Sequence, residues 1–123
     1  MSILMVLWMM YKIYRITNAI NDKIYIGCTK DLEKRFRQHK SGKENTIISK
    51  AIQELGEEYF SIEEIDCCKN LFDCFYILEP YYIGKYQSDK VGYNGALDLA
   101  RPLYYGTLKK RFNELVFKRR KKN

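Results

Sequence analysis

Histidine occurs once and proline twice among the 123 residues, and no apolar run approaches the roughly 20 residues that a membrane-spanning helix needs. The longest, Ile3–Met10, is eight residues. It lacks a basic residue ahead of it and a small-residue cleavage site behind it, so neither a membrane partner nor a signal peptide is expected. Residues 1–10 read instead as an apolar N-terminal extension, a strand or tail packed on the body, with Met9 or Met10 as alternative starts. The four cysteines, Cys28, Cys67, Cys68 and Cys74, do not form two Cys-x-x-Cys halves, and His39 is far from them in sequence. That argues against structural zinc. Nothing in the pattern calls for disulfides, so free thiols in a reducing intracellular compartment, and not a secreted protein, are the expectation. No internal repeat is present.

What the chain does have is enough length for one domain with a modest core, and a formal charge of +7. Residues 101–123 carry nine Lys/Arg against Glu114 alone, a net of +8; residues 1–100 carry thirteen basic and fourteen acidic side chains, a net of −1. The tail is basic and the body is not. An anionic partner follows, nucleic acid before a membrane surface. The run Lys118, Arg119, Arg120, Lys121 and Lys122 suits salt-sensitive, sequence-blind phosphate contact, and is equally compatible with a nuclear-import signal. In the body, Lys12, Lys34 and Arg37 are further candidates for phosphate contact.

Alternation predicts a strand over Tyr11–Thr17, and Asn21-Asp22 predicts a turn into a second strand over Ile24–Cys28, the two forming a hairpin. Thr29 or Asp31 is placed to cap a helix to about Lys40. A second helix starts near Asn45-Thr46, with Ile48, Ala51, Ile52 and Leu55 as its apolar stripe and Gly56 as its stop. Tyr59–Cys67 reads as a third strand. The helical period returns from Leu71 to about Tyr86, with Leu71, Phe75, Leu78 and Tyr82 on one side. Pro80 interrupts it and predicts a kink or two pieces. A final helix over about Thr107–Lys118 has Leu108, Phe112, Leu115 and Val116 as its stripe. The sum is a small α/β (α+β) domain, a three-stranded antiparallel sheet flanked by helices, with a C-terminal basic helix.

Two helices break the polar-out rule. Leu32, Arg35, Phe36 and His39 fall at i, i+3, i+4 and i+7, so Arg35 and His39 lie on an apolar stripe; Glu79 lies between Phe75 and Tyr82 on another. A charge there is costly unless it is paired, metal-bound or open to a site. Spacing alone leaves open an Arg35–Glu79 ion pair, a snorkelling arginine, or function.

Lys12-Ile13-Tyr14, ten residues, Tyr25-Ile26-Gly27, then Leu32-x-x-Arg35-x-x-x-His39, Ser49-x-Ala51-Ile52, Leu78-Glu79-x-Tyr81-Tyr82-Ile83 and Gly92-Tyr93-Asn94 resemble, in order and spacing, the signature of the GIY-YIG nuclease superfamily. The likeness covers about residues 11–98, leaving 99–123 as helix and tail. It is strongest to homing-endonuclease catalytic domains and to short freestanding members from large DNA viruses and phages, which would place the protein in the nucleus or cytoplasm of a host cell. The resemblance implies a metal-dependent DNA endonuclease leaving 5′-phosphate and 3′-hydroxyl ends on double-stranded or branched DNA. Glu79 matches the ligand of a divalent cation, Mg²⁺ or Mn²⁺, and Arg35 a phosphate-oxygen donor. Tyr14 matches the general base, a role that asks neighbouring cations such as Arg35 to favour phenolate. Tyr25 would orient water or phosphate, His39 would carry a proton or bind phosphate, and Asn94 matches an active-site asparagine. Lys12 stands where the first motif usually has glycine, Pro80 follows the metal glutamate, and Asn45-Thr46 replaces a histidine of some relatives. These departures keep a second hypothesis in play: a catalytically weak GIY-YIG-fold module that binds DNA through its tail.

Overall fold

The computed structural model describes residues 10–95 and 107–120, with the side chains of 107–109 excepted. The apolar extension before Met10, the Pro102 loop, the Leu108 side chain and the ends Lys121 and Lys122 lie outside the described residues.

Strand β1 (Tyr11–Asn18) is central in a three-stranded antiparallel sheet of order β2-β1-β3, with β2 at Ile24–Thr29 and β3 at Phe60–Cys68. A central strand is covered on both faces, and Ile13, Tyr14 and Ile16 are all buried although they alternate in direction. The β1–β2 hairpin turns as the sequence signal predicts. Asp22 takes a left-handed φ of 60°, a conformation Asp tolerates, and Asn18 and Asn21 side chains each accept a turn N–H. Register pairs Tyr14 with Gly27 and Ile16 with Tyr25, so Tyr14 and Tyr25 are diagonal neighbours on one face. Between β1 and β3 the partners jump from Ile13↔Asp66 to Tyr14↔Glu64. The extra residue, Ile65, packs with the same cluster toward which Asp66 turns, as a bulge allows.

Helix α1 (Leu32–Lys40) starts at Asp31, whose side chain accepts from Lys34 N at 3.1 Å. Of the two caps read from sequence, Asp31 is the one used. Helix α2 (Ile47–Leu55) is capped by Thr46 and stopped by Gly56 at φ 105°, a conformation that favours glycine. Its buried stripe is Ile48, Ser49 and Ile52, while Leu55 is exposed.

The third helix, α3, is not broken into two pieces at Pro80. An α turn at Leu71–Asp73 runs into a π turn at Cys74–Leu78 and then α-helix at Glu79–Tyr86. Glu79 N–H reaches back to Cys74 C=O, and this wider winding makes room for the Pro80 ring, which would otherwise meet the carbonyl of the preceding turn. The extra residue also shifts the apolar phase. Cys74, Ile77, Leu78 and Ile83 are buried, whereas Leu71, assigned to the stripe from a regular period, is exposed. After a left-handed Gln87 comes the short α4 (Ser88–Val91). Helix α5 runs Thr107–Arg120, two residues past its expected end.

Two apolar clusters sandwich the sheet. On one face Ile13 and Ile26 pack with Cys74, Ile77, Leu78 and Ile83 of α3 and Leu115 of α5. On the other, Tyr14 and Ile16 pack with Ile48 and Ile52 of α2, Phe60 and Tyr93. Helix α5 is held by two arginines: Arg111 on Asp73 at 2.7 Å and Arg119 on Asp66 at 2.5 Å. Burial would raise the Asp66 carboxyl, but hydrogen bonds from Arg119 and Tyr82 outweigh it and hold it below its ordinary value.

Candidate active site

The Tyr14 face gathers several buried polar groups, among them His39, Ser49 and Asn18. Tyr14 is 1% exposed, and its ring can lie flat along β2 because the cross-strand residue is Gly27. A Cβ at Gly27 would stand 2.2 Å from the phenol carbon and oxygen. Lys12, where glycine is usual, does not crowd the site: its ammonium donates to the Lys30 carbonyl at 3.0 Å, tying down the approach to α1.

From α1, His39 reaches Tyr14. Its Nε2 lies 2.8 Å from the Tyr14 hydroxyl, and the imidazole is fully buried. Tyr25, half-buried, meets the His39 ring edge-on at 5.2 Å between centroids. Desolvation, with the Arg35 charge adding to it and Glu44 opposing, pushes the imidazole down to about 4, so the ring is neutral at physiological pH. A neutral imidazole with one protonated nitrogen is a donor on one side and an acceptor on the other.

Burial pushes the Tyr14 phenol far above its ordinary value, and Tyr25 adds to this; Arg35 pulls the other way without overcoming it. The expectation that Arg35 would favour phenolate is therefore met only in direction. Glu79, 4% exposed at the junction of the π turn and the following α-helix, also acts on Tyr14 through its charge. The Arg35–Glu79 ion pair left open by the sequence is not formed. Arg35 instead pairs with Glu44, in the loop between α1 and α2, at 2.8 Å, and donates to Gln38 at 3.0 Å.

Asn94 sits one strand away. Its Oδ1 accepts from Ile26 N at 2.9 Å and its Nδ2 donates to Ile26 C=O at 3.0 Å, so the side chain extends the sheet at the edge of β2. Beside it, Tyr93 OH accepts from Asn18 Nδ2 at 2.8 Å, which closes the turn end of β1. Tyr14, Tyr25, Arg35 and His39 thus come together. Lys34 and Arg37 are exposed on α1, and Lys118 and Arg120 on α5. Arg119, expected in the same basic run, is instead mostly buried on Asp66.

Sequence reading missed Glu44, Asn18 and the partners of Arg119. Glu44 belongs to no periodic element and carries no motif signal. Asn18 reads only as a turn residue, and β-bulge geometry sets where Asp66 points. The donor set suits a hard cation. Among the described residues no three His, Cys, Asp or Glu gather into a metal-holding cluster; of the two buried carboxylates Asp73 is held by Arg111, so a cation would meet Glu79 with substrate oxygens and water. That sparse shell is the one Mg²⁺ favours.

Comparison with known proteins agrees with this fold. The sequence model of the GIY-YIG catalytic domain matches residues 10–94. Among solved structures, the catalytic domain of the homing endonuclease I-TevI is similar at 26% identity and a TM-score of 0.62, covering 70% of this chain and 98% of that one. A mutant of the catalytic domain of intron endonuclease I-TevI is similar at 26% identity and a TM-score of 0.61, covering 71% and 94%. No curated protein sequence matches.

Proposed function

The chain belongs to the GIY-YIG nuclease family, and on that premise we propose that it is a metal-dependent DNA endonuclease that hydrolyses phosphodiesters to 5′-phosphate and 3′-hydroxyl ends. The observation that carries the reading is the buried 2.8 Å contact between the Tyr14 hydroxyl and His39 Nε2, with Arg35 close enough to act on the same phenol.

In this reading a water lies against Tyr14. As its oxygen attacks phosphorus, its proton passes to the Tyr14 oxygen while the Tyr14 proton passes to His39 Nε2. The bond from phosphorus to the 3′ oxygen breaks, that oxygen takes a proton from solvent, and His39 later returns its proton to solvent. A neutral phenol and a neutral imidazole are the protonation states this exchange starts from. Arg35 would donate to phosphate oxygens as negative charge builds. Glu79 would hold the divalent cation, Mg²⁺ or Mn²⁺, which when bound offsets charge on the scissile phosphate and leaving oxygen. Tyr25 would orient the water, and Asn94 would act by fixing β2 through Ile26. Exposed Lys34, Arg37, Lys118 and Arg120 would contact DNA phosphates, with Lys121 and Lys122 continuing the run, while Lys12 would steady the loop before α1. Residues 11–98 would form the nuclease unit and 99–123 its basic extension.

The test is a nicking assay on supercoiled and branched DNA with Mg²⁺ or Mn²⁺, beside EDTA. Metal-dependent nicks support the proposal. Salt-sensitive binding without nicks under any divalent condition would leave a DNA-binding module on a nuclease scaffold.

A further inference from the structure

Glu44 has no part in the reaction as written above, yet its two carboxylate oxygens go to two residues of the site. Oε2 lies 2.8 Å from Arg35 Nη1, and Oε1 lies 3.5 Å from His39 Nδ1. Both His39 Nδ1 and Glu44 Oε1 are buried, and neither has a hydrogen-bond partner of normal length among the described residues. Each is the polar atom facing the other. A few tenths of an ångström of closure makes the bond, and a buried polar pair gains from making it.

The chemistry of the carboxylate then decides the imidazole tautomer. A carboxylate only accepts, so Nδ1 carries the hydrogen and Nε2 presents its lone pair to the Tyr14 hydroxyl. The opposite tautomer would set the Nδ1 lone pair against a carboxylate oxygen. The ordered chain reads Tyr14 O–H to His39 Nε2, then His39 Nδ1–H to Glu44 Oε1. It is the arrangement by which an acid behind a histidine orients the ring and stabilises the imidazolium.

We infer that Glu44 is a positioning residue for proton transfer: it fixes His39 in the Nδ1–H tautomer and stabilises the imidazolium formed when the Tyr14 O–H bond breaks and the Nε2–H bond forms. This rests on the nuclease reading of the site. The same carboxylate holds Arg35, so phosphate oxygens arriving at the guanidinium compete with Glu44 Oε2 and leave the carboxylate to His39.

His39 is the chain's sole histidine, so untagged protein labelled with ¹⁵N-histidine reports one ring. The wild type is expected to show a single neutral Nδ1–H tautomer. Glu44→Ala is expected to lose that preference and to drop kcat for nicking about 10²-fold, with KM within about threefold. Glu44→Gln keeps an acceptor without the charge, and is expected to retain the tautomer with kcat about tenfold down. A wild-type ring in the Nε2–H form, or Glu44→Ala and Glu44→Gln proteins with unchanged ring spectrum and unchanged kcat, would overturn the inference. Should Glu44→Ala fail to fold, the wild-type and Glu44→Gln spectra still decide it. Absence of nicking by the wild type would sink the nuclease reading separately, since the tautomer is read without catalysis.

Discussion

The two faces of the sheet are packed by different chemistries. Against Ile13 and Ile26 lie aliphatic and aromatic side chains of α3 and α5, with the charged pairs Arg111–Asp73 and Arg119–Asp66 at the margin. Against Tyr14 and Ile16 lie His39, Ser49 and Tyr93, so buried polar groups share the space with Ile48 and Ile52. Removing polar atoms from water costs free energy unless they are bonded, and the second face therefore carries polar groups that stability alone does not call for. On the proposed reading, the first face holds the domain together and the second serves the chemistry.

The sharpest way to break that division is to alter the carboxylate proposed to serve chemistry. Glu79→Ala is expected to lower nicking by about 10³-fold or more while salt-sensitive DNA binding is retained by gel shift; undiminished nicking would mean that this carboxylate serves packing and not the reaction. The converse substitution is Ile77→Ala, at a fully buried position on the aliphatic face. Urea unfolding should show a loss of about 2–5 kcal/mol, with nicking per folded molecule little changed. Between pH 6.5 and 4 acid should act through His39 on the polar face, since the depressed Asp66 carboxyl of the other face gives up its contribution only below about 3.8. With its folded value pushed from 6.5 to about 4, His39 binds a proton more readily in the unfolded chain. Stability is then fully present above pH 6.5 and is lost as pH falls toward 4, by an amount on the order of 2–3 kcal/mol. Denaturation midpoints across that window, compared with His39→Phe, should show the slope flatten in the variant. The smallest effect belongs to the surface: Arg15→Ala removes an ion pair with the exposed Glu63 and should cost about 0.5 kcal/mol or less.

Legibility differed between the faces for physical reasons. The hairpin, the caps at Asp31 and Thr46 and the Gly56 stop are set within one or two turns of chain, where residue spacing carries direction; the meeting of His39 with Tyr14, 25 positions away, was legible only through the motif's resemblance. Asp66 and Arg119 meet across 53 positions, and the bulge at Ile65 decides which way Asp66 points. Glu44 sits in a loop, where there is no period to read. The Leu71 misassignment is of another kind: a regular period was projected through a segment that winds wider.

That wide winding can be read as an insertion. A π turn holds one residue more than the α-helix it interrupts, and the helices on either side keep the phase they would have had without it. Shortening Cys74–Leu78 by one residue would therefore leave the flanking stretches Leu71–Asp73 and Glu79–Tyr86 aimed as they are, in a chain where the same deletion elsewhere in a helix would turn everything beyond it by about 100°. Pro80 guards against the shortcut, because a tightened turn would bring its ring onto the carbonyl before it. Length variation among related sequences is accordingly expected at this turn, and expected together with the loss of the proline.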